Sequence, residues 1–254
     1  MNNRRKWLFA ALIVVFMVSI LNARTKRIRP EAGHFFVKAG LIIDPENGRN
    51  QENGIIEINN GKILRVFEEG QRAIPDNSLI LDFSDKYIIP GLIDTHGHLF
   101  GKGYTTCAEL APLYLAAGVT SVRSPGGMEP EGDMALRWRI DSGRFLGPRY
   151  FQSGPYVEGD PVTVGWMNPV RTPEEVRLKI DHWIQKGATS VKIYAAMSGE
   201  LLEAAIEHGH AYGVKVIGHI GAVSYREAMQ MGICLLYTSP SPRDRTRSRM
   251  PSSA

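Results

Sequence analysis

The spacing of apolar positions changes character once along the chain. Between residues 34 and 83 they come in short β-rich runs, "HFFVKAGLIID", "GIIEINNGKILRVFE" and "SLILDFS", broken by Asn-Gly, Gly and Pro-Asp. Asn60-Gly61 offers the positive φ angles of a tight hairpin. No helix of normal length fits this stretch, so it predicts an all-β segment. From Ile88 onward, strand-like and helix-like runs alternate. "YIIPGLID" predicts a buried strand and "TTCAELAPLYLAAG" a helix. "VTSVRS", "PRYFQSG", "ATSVKIY" and "VKVIGHI" continue the strands, with "GDMALRWRIDSG", "TPEEVRLKIDHWIQKG", "SGELLEAAIEHGHAYG" and "SYREAMQMG" as helices. The run from Thr172 has an N-cap threonine, Pro173 at the first helical position, two early acids and a terminal Gly187. Five apolar strands alternating with helices predict a parallel α/β sheet, either doubly wound or part of a (β/α)8 barrel.

Before the β segment, charged residues precede an apolar run from Trp7 to Leu21. That run is shorter than the about 20 residues of a membrane span and matches the core of a signal peptide, usually about 7–15 residues. Residues 1–30 are expected to act as a signal peptide or an uncleaved membrane anchor. The protein is then exported, to the periplasm or outside the cell, or held on the membrane through residues 7–21.

Charge sharpens this division. The whole chain has formal net charge +4, of which residues 1–30 carry +7 and residues 234–254 carry +3, leaving residues 31–233 at −6. A nucleic-acid partner needs clustered Lys and Arg on a folded face, and an acidic body argues against it. The two cysteines, Cys107 and Cys234, make no disulfide framework.

Candidate chemistry gathers at strand ends. In "GLIDTHGHLFG", His96 and His98 stand two apart just beyond a predicted strand. Side chains at that spacing in extended chain point the same way and can share a cation. The C-terminal ends of parallel strands are where α/β folds build their sites. His219 follows "VKVIG" in the same way. Lys192 lies near the end of the strand before it, where an unmodified cation is costly to bury. A second pair, His208 and His210, falls at the end of a predicted helix, where residues two apart do not share a face. That pair is expected to be a solvated helix terminus, and His34 and His182 are expected to be structural.

Together "IIPGLIDTHGHL", "VKIY" and "VIGH" resemble the amidohydrolase superfamily of metal-dependent hydrolases, over roughly residues 34–233. The resemblance is nearest to imidazolonepropionase-like and prolidase-like members. It implies a TIM-type (β/α)8 barrel, of which about five units are present, with a small N-terminal β segment. It implies two divalent metals, expected to be zinc. His96 and His98 would bind one, His219 the other, and Lys192 would bridge both as a CO2-derived carbamate. The carbamate resolves the burial of Lys192, because it is an anion between two cations. The implied reaction is hydrolysis of an amide or other carbon–nitrogen bond in a short peptide or small cyclic amide, by a metal-activated hydroxide. Tyr194 is a candidate for a substrate carboxylate, or else a packed aromatic. Ser124 stands where such members commonly carry an acid. The alternatives are a mononuclear deaminase-like member, which does not need Lys192, and an inactive membrane-anchored binding protein.

After Ile233 the text turns to "CLLYTSPSPRDRTRSRMPSSA", rich in Ser, Pro and Arg and without periodicity. Cys234 to Asp244 can be back-translated into a sequence resembling a transposase adapter used in library preparation. The expected organisation is therefore a leader over 1–30, a β segment over 31–87, a truncated barrel over 88–233 and a non-native tail over 234–254. The resemblance implies a further metal-binding histidine and a proton-transferring aspartate on later strands, so the fragment by itself is expected to be inactive.

Overall fold

The computed structural model describes residues 33–99, 107–165 and 167–237. The predicted leader and most of the predicted tail lie outside the described residues. Among the described residues no helix is long and apolar enough to cross a membrane. The chain divides into two compact units, one up to Pro90 and one from Gly91.

The first unit is a four-stranded sheet of β1 (His34–Ile43), β2 (Asn50–Asn59), β3 (Lys62–Glu68) and β4 (Leu79–Ile88), in the order β3-β2-β1-β4. β1 pairs antiparallel with β2 and parallel with β4. The predicted hairpin joins β2 to β3, with φ of 49° at Asn60 and 72° at Gly61. Phe36, Ile55 and Phe67 form its core, with Ile74 packed against them.

The second unit opens with β5 (Leu92–Asp94), α1 (Cys107–Ala116), β6 (Val119–Ser124), α2 (Pro130–Asp141), β7 (Arg149–Gln152) and β8 (Tyr156–Val157). It continues through α3 (Pro173–Gln185), β9 (Ser190–Ile193), α4 (Gly199–Ala211), β10 (Lys215–His219), α5 (Tyr225–Gln230) and β11 (Leu235–Tyr237). Every strand pairing in it is parallel, in one sheet of order β5-β6-β7 and another of order β11-β10-β9-β8. The backbone N–H of Thr189, just before β9, donates to the Gln152 carbonyl at 2.8 Å. The end of β7 is thereby tied to the start of β9.

Helix ends follow the local code. The Thr172 hydroxyl accepts from Glu175 N at the start of α3, and Ser198 does the same for Leu201 N at α4. Each such cap stabilises a helix by about 1 kcal/mol. α5 begins with a reciprocal capping box between Ser224 and Glu227. Val176 and Ile180 of α3 and Leu202 and Ile206 of α4 pack with Val191 and Val216 into the larger core. Leu99, Val122, Leu136 and Tyr150 form a second core around β6 and β7.

Three features depart from the pattern. "YIIPGLID" is not one buried strand: β4 takes Tyr87 and Ile88, and β5 keeps three residues, with Leu92 50% and Ile93 69% exposed. Pro90 lacks the N–H that would carry the ladder across this point. β8 is an additional strand, two residues long, between the third and fourth predicted ones. Finally, Leu235–Tyr237 add a parallel strand to β10, so regular structure continues four residues beyond Ile233.

Candidate metal centre at the strand ends

His96 and His98 follow β5, and their rings lie 5.4 Å apart at 75°. The intervening backbone is held from both sides. His96 N donates to Asp94 Oδ1 at 2.9 Å, Gly97 N donates to the Arg123 carbonyl at 3.0 Å, and Arg123 Nε donates to the Thr95 carbonyl at 3.0 Å. Gly97 is needed here. A Cβ would come within 2.9 Å of both Asp94 Oδ2 and Val122 Cγ1.

Lys192 sits in β9 with 0% exposure. Its Nζ lies 3.0 Å from Nδ1 of His219, at the end of the neighbouring β10. Gly218 lets the two strands approach here, since a Cβ on it would lie 2.4 Å from the Ile193 carbonyl oxygen. The Tyr194 ring packs edge-on to His219 at 5.0 Å and to Tyr156 at 5.3 Å.

These groups share one electrostatic environment. Burial, then the neighbouring charges of His98, Lys192, His219 and Arg123, push the His96 imidazole down to about 4. Burial and Lys192 push His219 down to about 4 as well. His98 is lowered by burial and Lys192, against the Gly126 carbonyl and Asp94, which raise it. Burial and the Arg123 guanidinium bring the Lys192 amine down to about 7. At neutral pH the three imidazoles are therefore uncharged and Lys192 is poised between its two forms.

Among the described residues, no three His, Cys, Asp or Glu side chains converge as a metal-holding group by themselves. The donor set nevertheless fits a divalent ion in kind. Metal binding needs deprotonated imidazole, and carboxylation by CO2 needs a neutral amine, which a lysine at about 7 supplies.

The second histidine pair behaves differently. His208 Nε2 lies 2.7 Å from Asp181 Oδ1, and His210 Nε2 lies 3.5 Å from Cys234 Sγ. His208 is held between α4 and α3 instead of being solvated, and His210 lies beside the residue that precedes β11. His34 pairs with Glu57 at 2.8 Å, and His182 packs edge-on to Trp183.

The sequence pattern did not mark Glu158, Asp133 or Tyr150. Glu158 follows β8 with 0% exposure. Its carboxylate accepts from Gly159 N at 3.0 Å, Ala196 N at 2.7 Å, Thr163 N at 3.3 Å and the Thr163 hydroxyl. It ties the loop after β8 to the loop after β9, two residues beyond Tyr194. Asp133 of α2 accepts from the Tyr150 hydroxyl of β7 at 2.5 Å, and both are 1% exposed. Ser124, which stands where an acid is common in such members, has its hydroxyl 3.4 Å from His98 Nδ1.

No protein-family model matches the chain. It is 26% identical over 190 residues to a dihydroorotase of Anaeromyxobacter sp. (strain K), covering 72% of this chain and 41% of that protein. A dihydroorotase of Anaeromyxobacter dehalogenans (strain 2CP-C) is 31% identical over 103 residues, 39% of this chain and 23% of that protein. Among solved structures, a putative prolidase from Bifidobacterium longum superposes with a TM-score of 0.69 at 30% identity, over 82% of this chain and 54% of that one. A Xaa-Pro dipeptidase with methionine in its active site gives 0.67 at 23% identity, over 80% and 61%. The chain thus spans about two fifths or less of these curated relatives and little more than half of these solved chains. Its strand-end histidines and lysine stand in a fold shared with these hydrolases, and the chain belongs to the amidohydrolase superfamily.

Proposed function

We propose that this chain carries the first part of a binuclear metal centre in an enzyme that hydrolyses an amide or related carbon–nitrogen bond. The observation that carries this reading is the buried amine of Lys192, 3.0 Å from His219 and within electrostatic reach of His96 and His98. The parallel strands of the second unit are read as part of a (β/α)8 barrel, whose sites lie at the C-terminal strand ends. The reaction is assigned to the whole protein, and the matched relatives are longer than this chain.

In this reading His96 and His98 hold one divalent ion and His219 the other, with Lys192 as a carbamate between them. Zinc suits the imidazoles. Such ions supply Lewis acidity, polarising the scissile carbonyl and acidifying a water. Asp94 and Arg123 fix the backbone that carries the histidine pair. Glu158 fixes the loop beyond Lys192, and the Tyr194–Tyr156 pair walls one side. Tyr194 is offered as a contact for a substrate carboxylate, the substrate being a short peptide or a small cyclic amide. The relatives named as a dihydroorotase, a prolidase and a dipeptidase support a carbon–nitrogen bond as the target.

The mononuclear reading, in which Lys192 has no part, is disfavoured by the burial of its amine against His219. Zinc content and intact mass of the whole protein, measured with and without bicarbonate, test the proposal. Two zinc ions and the added mass of CO2, both lost in Lys192→Ala, are expected. One zinc, unaffected by Lys192→Ala, would establish the mononuclear form.

A further inference from the structure

The sheet of the first unit carries a charged row that the proposed reaction does not use. His34 and Phe36 stand two apart on β1 and face the same side. Phe36 lies opposite Glu57 on β2, and Glu57 lies opposite Arg65 on β3. Glu57 is only 8% exposed. His34 Nε2 lies 2.8 Å from its Oε1, and Arg65 Nε lies 2.7 Å from its Oε2. A carboxylate removed from water is costly unless it is paired, and this one is paired on both oxygens. Glu57 thereby fixes where the Arg65 guanidinium sits.

A cleft of about 320 Å³ lies against this row. Its apolar lining is aromatic. Phe36 is 3% and Phe67 5% exposed, and the His34 ring leans on Phe36 at 5.1 Å. The segment after β3 supplies another wall through Arg72, Ala73 and Pro75. Ile74 turns away from them to pack on the phenyl rings, and the small Ala73 leaves the space beside it open. Arg72 is exposed, and among the described residues no carboxylate lies within ion-pair distance of it. Two guanidiniums against one carboxylate leave the cleft with one positive charge in excess. Residues 31–233 sum to −6, so this excess is local and opposite in sign to the body around it.

We infer that this cleft binds a small organic anion, a flat apolar body bearing one carboxylate, with Arg72 and Arg65 holding the charge and Phe36 and Phe67 the body. A guanidinium matches a carboxylate through two parallel N–H···O bonds. Phenyl rings take a flat apolar partner by offset or edge-on stacking. Ligand pockets run from about 300 to 1,000 Å³, so this one suits a ligand at the small end. A monoanion matches the single excess charge. The site lies wholly within the first unit and does not depend on the metal centre proposed above.

The test is calorimetric titration of the whole protein with naphthoate and with its neutral counterpart, naphthalene carboxamide. Naphthoate is expected to bind, and the carboxamide to bind about 10-fold more weakly, as the loss of a charged hydrogen bond implies. Arg72→Ala is expected to weaken naphthoate by about the same 10-fold and to leave the carboxamide unchanged. Its thermal midpoint is expected to match wild type, because Arg72 is exposed. A carboxylate could also coordinate a metal, so the titration is repeated after chelator treatment, with the same affinity and the same Arg72 dependence expected. Naphthoate bound alike by wild type and Arg72→Ala overturns the proposal. So does carboxamide bound as tightly as the acid, or no heat at millimolar naphthoate. Affinity lost on chelation assigns the anion to a metal and overturns it as well. Arg72-dependent binding in a protein without zinc affinity sinks the metal-centre reading and leaves the cleft standing.

Discussion

The amine of Lys192 and Nδ1 of His219 lie 3.0 Å apart on adjacent parallel strands, with the lysine fully removed from solvent. Burial and Arg123 hold that amine at about 7, against an ordinary 10.5. Between those values the unfolded chain binds a proton that the folded chain refuses. The Lys192 contribution to stability therefore rises with pH from about 7 to 10.5. Lys192→Met keeps the bulk without the amine. Its thermal midpoint, measured without metal, is expected to lack that rise. A midpoint rising across the window as in wild type would contradict the assignment.

The acid side separates two groups of opposite sign. His96 and His219 titrate at about 4 in the folded protein and at 6.5 ordinarily, so their contribution rises with pH between those values. Burial raises Asp133 from 3.8 to about 7, so the folded state keeps a proton that the unfolded chain has lost, and its contribution falls with pH over that range. Asp133→Asn is expected to steepen the rise of the melting midpoint from about pH 4 to 6.5, as followed by circular dichroism. An unaltered slope would show that Asp133 titrates alike in both states.

Glu158 is an anchor made of one carboxylate and four donors. Glu158→Gln replaces an acceptor oxygen with an NH2 facing backbone N–H groups. Leaving buried groups unsatisfied costs about 1–3 kcal/mol each. Hydrogen exchange is expected to show the Ala196 and Thr163 amides exchanging faster than those of β9 and β10. Equal acceleration everywhere would mean that Glu158 supports the whole unit and not its two loops.

At Gly97 an added methyl meets the Asp94 carboxylate and a Val122 methyl. Gly97→Ala is expected to lower stability by about 1–3 kcal/mol, the usual cost of overpacking. Zinc binding is also expected to weaken, because the histidines on either side move with the backbone. A variant with wild-type melting and wild-type zinc affinity would show that the loop yields freely.

Much of this architecture is legible in the chain because it rests on local chemistry. The hairpin at Asn60-Gly61, the capped helix from Thr172 and the strand-end positions of His96, Lys192 and His219 all follow from short patterns. What escapes them depends on distant partners. β8 has two residues, too few to show a period, and exists because it pairs with Lys192 and Ile193. Glu158, in "VEGD", reads as an ordinary loop acid until Ala196 and Thr163 arrive from elsewhere. Asp133 reads as a first-turn helix acid, and its burial depends on Tyr150, 17 residues later. Pro90 lies inside a run that reads as one strand, and the transfer of Tyr87 and Ile88 to the first unit's sheet depends on their pairing with β1. Ser124 looked like the loss of an acid, and its place beside His98 shows only once β6 lies next to β5.

The close approaches at Gly97 and Gly218 bear on how loss-of-function variants of such a protein should be interpreted. Under the proposed function, a random mutagenesis screen of the whole protein would return these two positions alongside the histidines, although neither has a side chain to do chemistry. Variants there would look like ligand losses by phenotype yet respond differently to rescue. Extra zinc in the medium could partly restore a displaced ligand, but not a missing one.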